Sequence, residues 1–115
     1  MGAAPKTGLN REFQINPGRA DQFVDTALRM EADGADMVLL EPAQFTADVL
    51  ASLRTQTRAP LFPFSVSGEY RALTHVEPAT GRRDVRLLVE LFTMLKRAGA
   101  SGSVTYAALD IARQL

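Results

Sequence analysis

Imine chemistry needs a neutral amine, and this chain carries two lysines, Lys6 and Lys96, against eleven arginines. Lys96 falls late in an amphipathic stretch, where a cation favours the helix dipole and a nucleophile is out of place. The one histidine, His75, has no second ligand in view and reads as a surface residue on a helix end. Cysteine is absent, which excludes a disulfide framework and any thiolate metal site. These residues call for no metal and no cofactor. Arg82, Arg83 and Arg86 read as a solvated face at a helix start, and Ser67 as the N-cap of a helix that begins at Gly68-Glu69.

The elements that must position these groups follow from period and punctuation. Residues 1–15 have no clear period and read as an extended lead-in. Residues 16–115 read as a single domain. Asn16-Pro17 starts a helix, Phe23, Val24, Ala27 and Leu28 give it a 3.6-residue period, and Gly34 ends it. Ala35 to Leu40 is a short apolar run that predicts a strand buried on both faces. Phe45, Val49, Leu50 and Leu53 set an apolar stripe on a helix of about three turns. Ala59 to Val66 is a second strand, weakened by Pro60 and Pro63. Ser67 to Tyr70 turns into a helix that stops near Glu77-Pro78. Asp84 caps a helix whose Val85, Leu88, Val89, Phe92 and Leu95 share a face, closed at Ala98-Gly99. Ser101 to Tyr106 is a third strand, and Ala107 to Leu115 a last helix.

Strands alternating with helices mean an α/β fold with a parallel sheet. Three such strands do not close a barrel, and their outer edges carry unpaired backbone groups. On this reading Val38, Leu40, Phe62 and Val104 face an interior with no opposing wall, so the chain associates, repacks or is marginally stable. There is no internal repeat.

With 115 residues, the chain is of single-domain size. Hydrophobic residues at 46% and charged residues at 23% are ordinary for a folded protein and exclude disorder. Thirteen basic side chains balance thirteen acidic ones, so charge provides no case for nucleic acid or an anionic membrane. No apolar run approaches the roughly 18–20 residues of a membrane helix. Met1 to Lys6 lacks the apolar stretch of a signal peptide, which sets a cytoplasmic expectation.

Four blocks, in order and in register, resemble one family. Gly34-Ala35-Asp36-Met37-Val38-Leu39-Leu40-Glu41-Pro42 resembles the Gly-Ala-Asp, apolar run and Lys-Pro strand of porphobilinogen synthase, also called 5-aminolevulinate dehydratase. Phe64-Ser65-Val66-Ser67-Gly68-Glu69-Tyr70 resembles that family's Tyr-X-Val-Ser-Gly-Glu-Tyr. Lys96 to Ala100 with Thr105 to Asp110 resembles its C-terminal strand and helix. Gly8 to Gln14 with Asn16-Pro17 is a weaker fourth match. The resemblance covers about residues 8–115. It implies the C-terminal third of a (β/α)8 TIM-type barrel, so the three strands are a partial barrel.

The resemblance implies a lyase that condenses two 5-aminolevulinate molecules into porphobilinogen for tetrapyrrole synthesis through two Schiff-base lysines. The first lies upstream of the matched segment. The second is the lysine before proline, and here that position is Glu41. A carboxylate forms no imine, so no catalytic residue is assigned. Asn10 stands where the family has a carboxylate-binding arginine, with Arg11 beside it. Phe64 replaces a tyrosine, and Thr26 replaces a glutamate of an allosteric magnesium site. By the same resemblance Ser67 and Tyr106 hold a substrate carboxylate and Gln14 contacts substrate.

Two functional readings follow. One is a truncated homologue without synthase activity on its own, acting by association as a homo-oligomer or with a complementary barrel chain. The alternative is a lyase completed by a partner chain, or a binding module for a small amino or keto acid built on Ser67, Tyr106 and Glu41.

Overall fold

The computed structural model describes residues 18–114. Helix α1 runs Ala20–Ala32, and its buried Val24 and Ala27 lie one turn apart with Phe23 and Leu28 partly buried beside them. It stops at Asp33, because Gly34 takes a positive φ of 109° that an L side chain rarely adopts. Asn16 and Pro17 lie outside the described residues, and the helix itself begins only at Ala20 with Arg19 at the N-cap position, later than the expected start. Strand β1, Val38–Leu40, leads into a 3-10 turn at Ala43–Phe45 and helix α2, Ala47–Arg54. Strand β2 spans Leu61–Ser65 and helix α3 Ser67–Leu73. A short antiparallel hairpin follows, β3 at His75–Val76 and β4 at Arg83–Asp84. Helix α4, Arg86–Ala98, strand β5, Val104–Thr105, and helix α5, Ala108–Gln114, complete the order.

The main sheet is parallel, in the order β1-β2-β5. Val38, Leu39 and Leu40 pair with Leu61, Phe62 and Pro63, while Phe64 and Ser65 pair with Val104 and Thr105. Pro63 therefore sits on the last rung with β1, where pairing passes to β5. Its missing N–H costs little at that point.

The helices cover one face of this sheet. Leu50, Leu53, Leu61, Leu95 and Val49 are fully buried there, joined by Val38, Leu40 and Ala43. Each such leucine contributes about 1.5–3 kcal/mol over an exposed one. A second cluster packs Val85, Leu88 and Ala107 against Tyr70, Leu73 and Ile111. Arg54 ties the lower edge: its guanidinium donates to the carbonyls of Thr57 at 2.8 Å, Ala59 at 3.0 Å and Gly99 at 3.3 Å. Gly99 is needed at that contact, since its φ is 131° and a Cβ would lie 3.0 Å from that of Arg54.

Several expectations are corrected. β1 is not buried on both faces: Val38 and Leu40 face the helices, and Leu39 is 51% exposed. The interior face of the partial barrel is therefore Leu39, Phe62, Phe64 and Val104, with Val38 and Leu40 on the opposite side. Phe45 does not belong to the α2 stripe. It lies in the 3-10 turn with 64% of its surface exposed, because the helix begins only at Ala47. The helix after Ser67 ends at Leu73, not near Pro78, because the chain turns into the hairpin. Among the described residues no helix is long and apolar enough to cross a membrane.

Candidate functional site

Parallel strands share one C-terminal edge, and the turns that leave it are where a barrel builds its site. Glu41 is the first residue past β1, Ser67 the second past β2, and Tyr106 the first past β5. The strand order places Ser67 between the other two along this edge.

Alternation from Leu39 carries Glu41 to the open face of the sheet. It is exposed, and its carboxylate makes no hydrogen bond or ion pair with any described residue. Glu41-Pro42 is a cis peptide. Ser67 is half-buried and is the first residue of α3 itself, with Val66 at the cap position. Its hydroxyl caps nothing, which corrects the expected N-cap role. It makes no hydrogen bond among the described residues. Tyr106 is 50% exposed, and its ring is held by aromatic neighbours. The Phe64 ring centroid lies 6.1 Å away, and Tyr70 meets it edge-on at 6.2 Å. The Arg83 guanidinium stacks over Tyr70 at 4.7 Å. Phe64, on the strand, thus supports Tyr106 through its ring without a hydroxyl.

Glu69 carries the site's main internal linkage. It is 4% exposed, and one carboxylate oxygen accepts the Ser65 hydroxyl at 3.0 Å. The other accepts the Gln44 backbone N–H at 2.9 Å. One side chain on α3 therefore fixes the turn after β1, which carries Glu41, to the end of β2, which precedes Ser67. The first turn of a helix also favours a carboxylate. Sequence reasoning gave Glu69 no role. The available signal was Ser65 and Glu69 four residues apart across a strand-to-helix turn.

Lys96 lies at the other end of the sheet. α4 feeds the start of β5, so its last turn sits at the N-terminal edge, where Ser101 N–H bonds the Leu61 carbonyl at 2.8 Å. Among the described residues, no lysine reaches the edge that bears Glu41. Gln14, Asn10, Arg11 and Lys6 lie outside the described residues. The site edge thus presents a carboxylate and two hydroxyls. That set can hold an ammonium and a carboxylate but supplies no imine-forming amine.

His75 is not on a helix end, and it does have neighbours. It opens β3, with Nε2 3.0 Å from Glu77 Oε1 and 3.8 Å from Asp84 Oδ2. The three arginines nearby are not one solvated face. Arg83 is half-buried and donates to Thr74 Oγ1 at 2.9 Å, while Arg86 pairs with Asp84 at 2.6 Å. The Arg86 guanidinium and its backbone N–H hold the Asp84 carboxyl down to about 2. The same backbone bond, Arg86 N–H to Asp84 Oδ1 at 3.0 Å, gives Asp84 a capping role one residue outside the N-cap position, Val85.

Comparison with known proteins places this geometry. A family model described as delta-aminolevulinic acid dehydratase matches residues 1–114. The delta-aminolevulinic acid dehydratase of Synechococcus elongatus is 32% identical over 113 residues, 98% of this chain and 35% of that protein. The Escherichia coli protein of the same name is 33% identical over 107 residues, 93% of this chain and 33% of its own length. The crystal structure of the Toxoplasma gondii dehydratase, in complex with its reaction product porphobilinogen, superposes with a TM-score of 0.76 at 26% identity. It covers 99% of this chain and 31% of that one. This chain therefore spans about a third of the length of these relatives, and its fold is part of a TIM-type barrel. By sequence and by fold, the chain belongs to the delta-aminolevulinic acid dehydratase family.

Proposed function

We propose that this chain is a partial porphobilinogen synthase barrel that does not form porphobilinogen by itself and acts through association with a chain supplying the remaining strands. One observation carries the reading: at the β1 exit, where the resemblance puts the second Schiff-base lysine, stands Glu41, with Lys96 at the opposite edge of the sheet. A carboxylate is no nucleophile toward a ketone in the sense imine formation requires. The open sheet face supports the second half of the reading. Leu39 and Val104 are exposed there beside half-buried Phe62 and Phe64, an apolar surface of the kind that a barrel interior fills.

Sedimentation velocity tests it, on the chain alone and mixed with a relative's segment that carries the missing strands. A faster-sedimenting species, either a self-assembly or the mixed complex, is the expected result. A well-ordered monomer at every concentration, unchanged by the added segment, counts against association.

A second reading rests on a separate observation. Glu41 and Ser67 share one edge, and neither side chain has a hydrogen-bond partner among the described residues. A small amino or keto acid would place its carboxylate at Ser67 and Tyr106 and any ammonium at Glu41. In the version completed by a partner, that partner supplies the lysine and the chain contributes the carboxylate pocket. Glu41→Ala should weaken binding of a small amino acid, and unchanged affinity would remove Glu41 from the site.

A further inference from the structure

The hairpin brings the chain's single histidine to two carboxylates. His75 and Asp84 are register partners across the antiparallel pair, so their side chains leave the same face. Glu77 lies two residues beyond His75, and its N–H continues the pairing to the Arg82 carbonyl at 2.7 Å, so alternation returns it to that face. Gly81 N–H closes the turn on the Glu77 carbonyl at 2.8 Å. The backbone that carries the three groups is thus already bonded into one geometry.

The donor spacing suits a metal ion. Nε2 of His75 is 3.0 Å from Glu77 Oε1 and 3.8 Å from Asp84 Oδ2, and one ligand atom from each residue lies within 4.8 Å of the others. With metal–ligand bonds of about 2.0–2.2 Å, cis donors stand about 2.8–3.1 Å apart in an octahedron and about 3.3–3.6 Å apart in a tetrahedron. The His75–Glu77 spacing of 3.0 Å already falls in the octahedral range, and the His75–Asp84 spacing of 3.8 Å is only slightly wider than the tetrahedral one, so a small rotation of the Asp84 side chain would bring the donors onto one ion. The imidazole separates this set from an ordinary patch of surface carboxylates. Its nitrogen selects borderline first-row ions over calcium and magnesium, which take oxygen. Packing does not account for His75, whose side chain is 64% exposed.

We propose that His75, Glu77 and Asp84 form a binding site for a divalent first-row transition ion, zinc being the type, with its remaining positions open to water. Two carboxylates and a neutral imidazole balance the ion's charge. Arg86 sets the affinity. Its Nη2 lies 2.6 Å from Asp84 Oδ2, and its Nε lies 3.1 Å from each Asp84 oxygen, so the guanidinium and the metal compete for one carboxylate. The Arg86 side chain is exposed and can leave to solvent.

Two substitutions therefore act with opposite sign. Titrating the full chain with zinc chloride in a calorimeter should show one equivalent bound at micromolar concentration. Millimolar magnesium or calcium should not compete. His75→Gln should weaken zinc by about tenfold or more, while Arg86→Gln should tighten it several-fold. Cobalt should shift the NMR signals of the single imidazole. Circular dichroism of both variants keeps an unfolded chain from passing as a lost site. Zinc affinity that His75→Gln leaves unchanged overturns the proposal, as does the absence of zinc binding in both the native chain and Arg86→Gln.

Discussion

Removing the Glu69 carboxylate should loosen the two turns that carry Glu41 and Ser67. Glu69 is buried and accepts from the Ser65 hydroxyl and the Gln44 backbone N–H. A hydrogen bond to a charged acceptor is worth about 1.5–3 kcal/mol, so the two together reach about 3–6 kcal/mol. Relief of the buried charge offsets part of this. Glu69→Ala should then cost about 2–4 kcal/mol and leave the fully buried Ser65 without its acceptor. Glu69→Gln keeps the shape. Its amide oxygen can accept from Gln44 N–H, and its NH2 can donate to Ser65 Oγ, since a hydroxyl both donates and accepts. The cost there should be about 1 kcal/mol. Urea unfolding followed by circular dichroism reads both values from the shift in midpoint at constant slope. Equal costs for Ala and Gln would refute the two-bond account, because charge and not geometry would then be the determinant. A neutral Glu69→Ala would refute it outright.

Further outcomes follow from the same structure. Gly99→Ala should destabilise by about 1–3 kcal/mol in a thermal melt, because a positive φ is joined by contacts at 3.0 Å to Arg54 and 3.2 Å to the Leu50 carbonyl. Gly34→Ala, with φ 109° and open space around it, should cost less. NMR titration should find the Asp84 carboxyl with its midpoint at about 2, rising toward the ordinary value near 3.9 in Arg86→Gln. The folded value is the lower one, so the stabilisation is complete above about 3.9 and is lost as pH falls through about 2. Leu50→Ala, fully buried, should cost about 2–5 kcal/mol. Leu39→Ser on the open face should leave the isolated chain within about 0.5 kcal/mol while weakening association.

Much of the frame was legible from residue pattern. Val24 with Ala27, and Leu88 with Leu95, are buried at helical spacing, and Gly34 and Gly99 end their helices with positive φ. The alternation of strand and helix gave the parallel sheet. Which face of β1 turns outward was not legible, because Val38, Leu39 and Leu40 are alike in hydropathy and only the missing wall of a barrel distinguishes Leu39. The hairpin was missed because strands of two residues have no measurable period, and a helix pattern could be drawn through to Glu77. With it went the cluster at His75, whose cross-strand partner Asp84 is nine residues away in sequence and exists only in that pairing. The positions of Glu41, Ser67 and Tyr106 at one sheet edge were reachable from the strand exits. Ser65 and not Ser67 makes the local hydroxyl contact with Glu69, a distinction that depends on strand alternation at the last rung of β2.

The most direct test of the central claim is chemical. Purified chain at high concentration is incubated with 5-aminolevulinate and either magnesium or zinc, and porphobilinogen is assayed against a no-protein control. The account predicts no product above the control, since Glu41 occupies the imine position and Lys96 lies at the far edge of the sheet. Porphobilinogen formed by the chain alone would contradict it and return the search for an imine to Lys6 and Lys96.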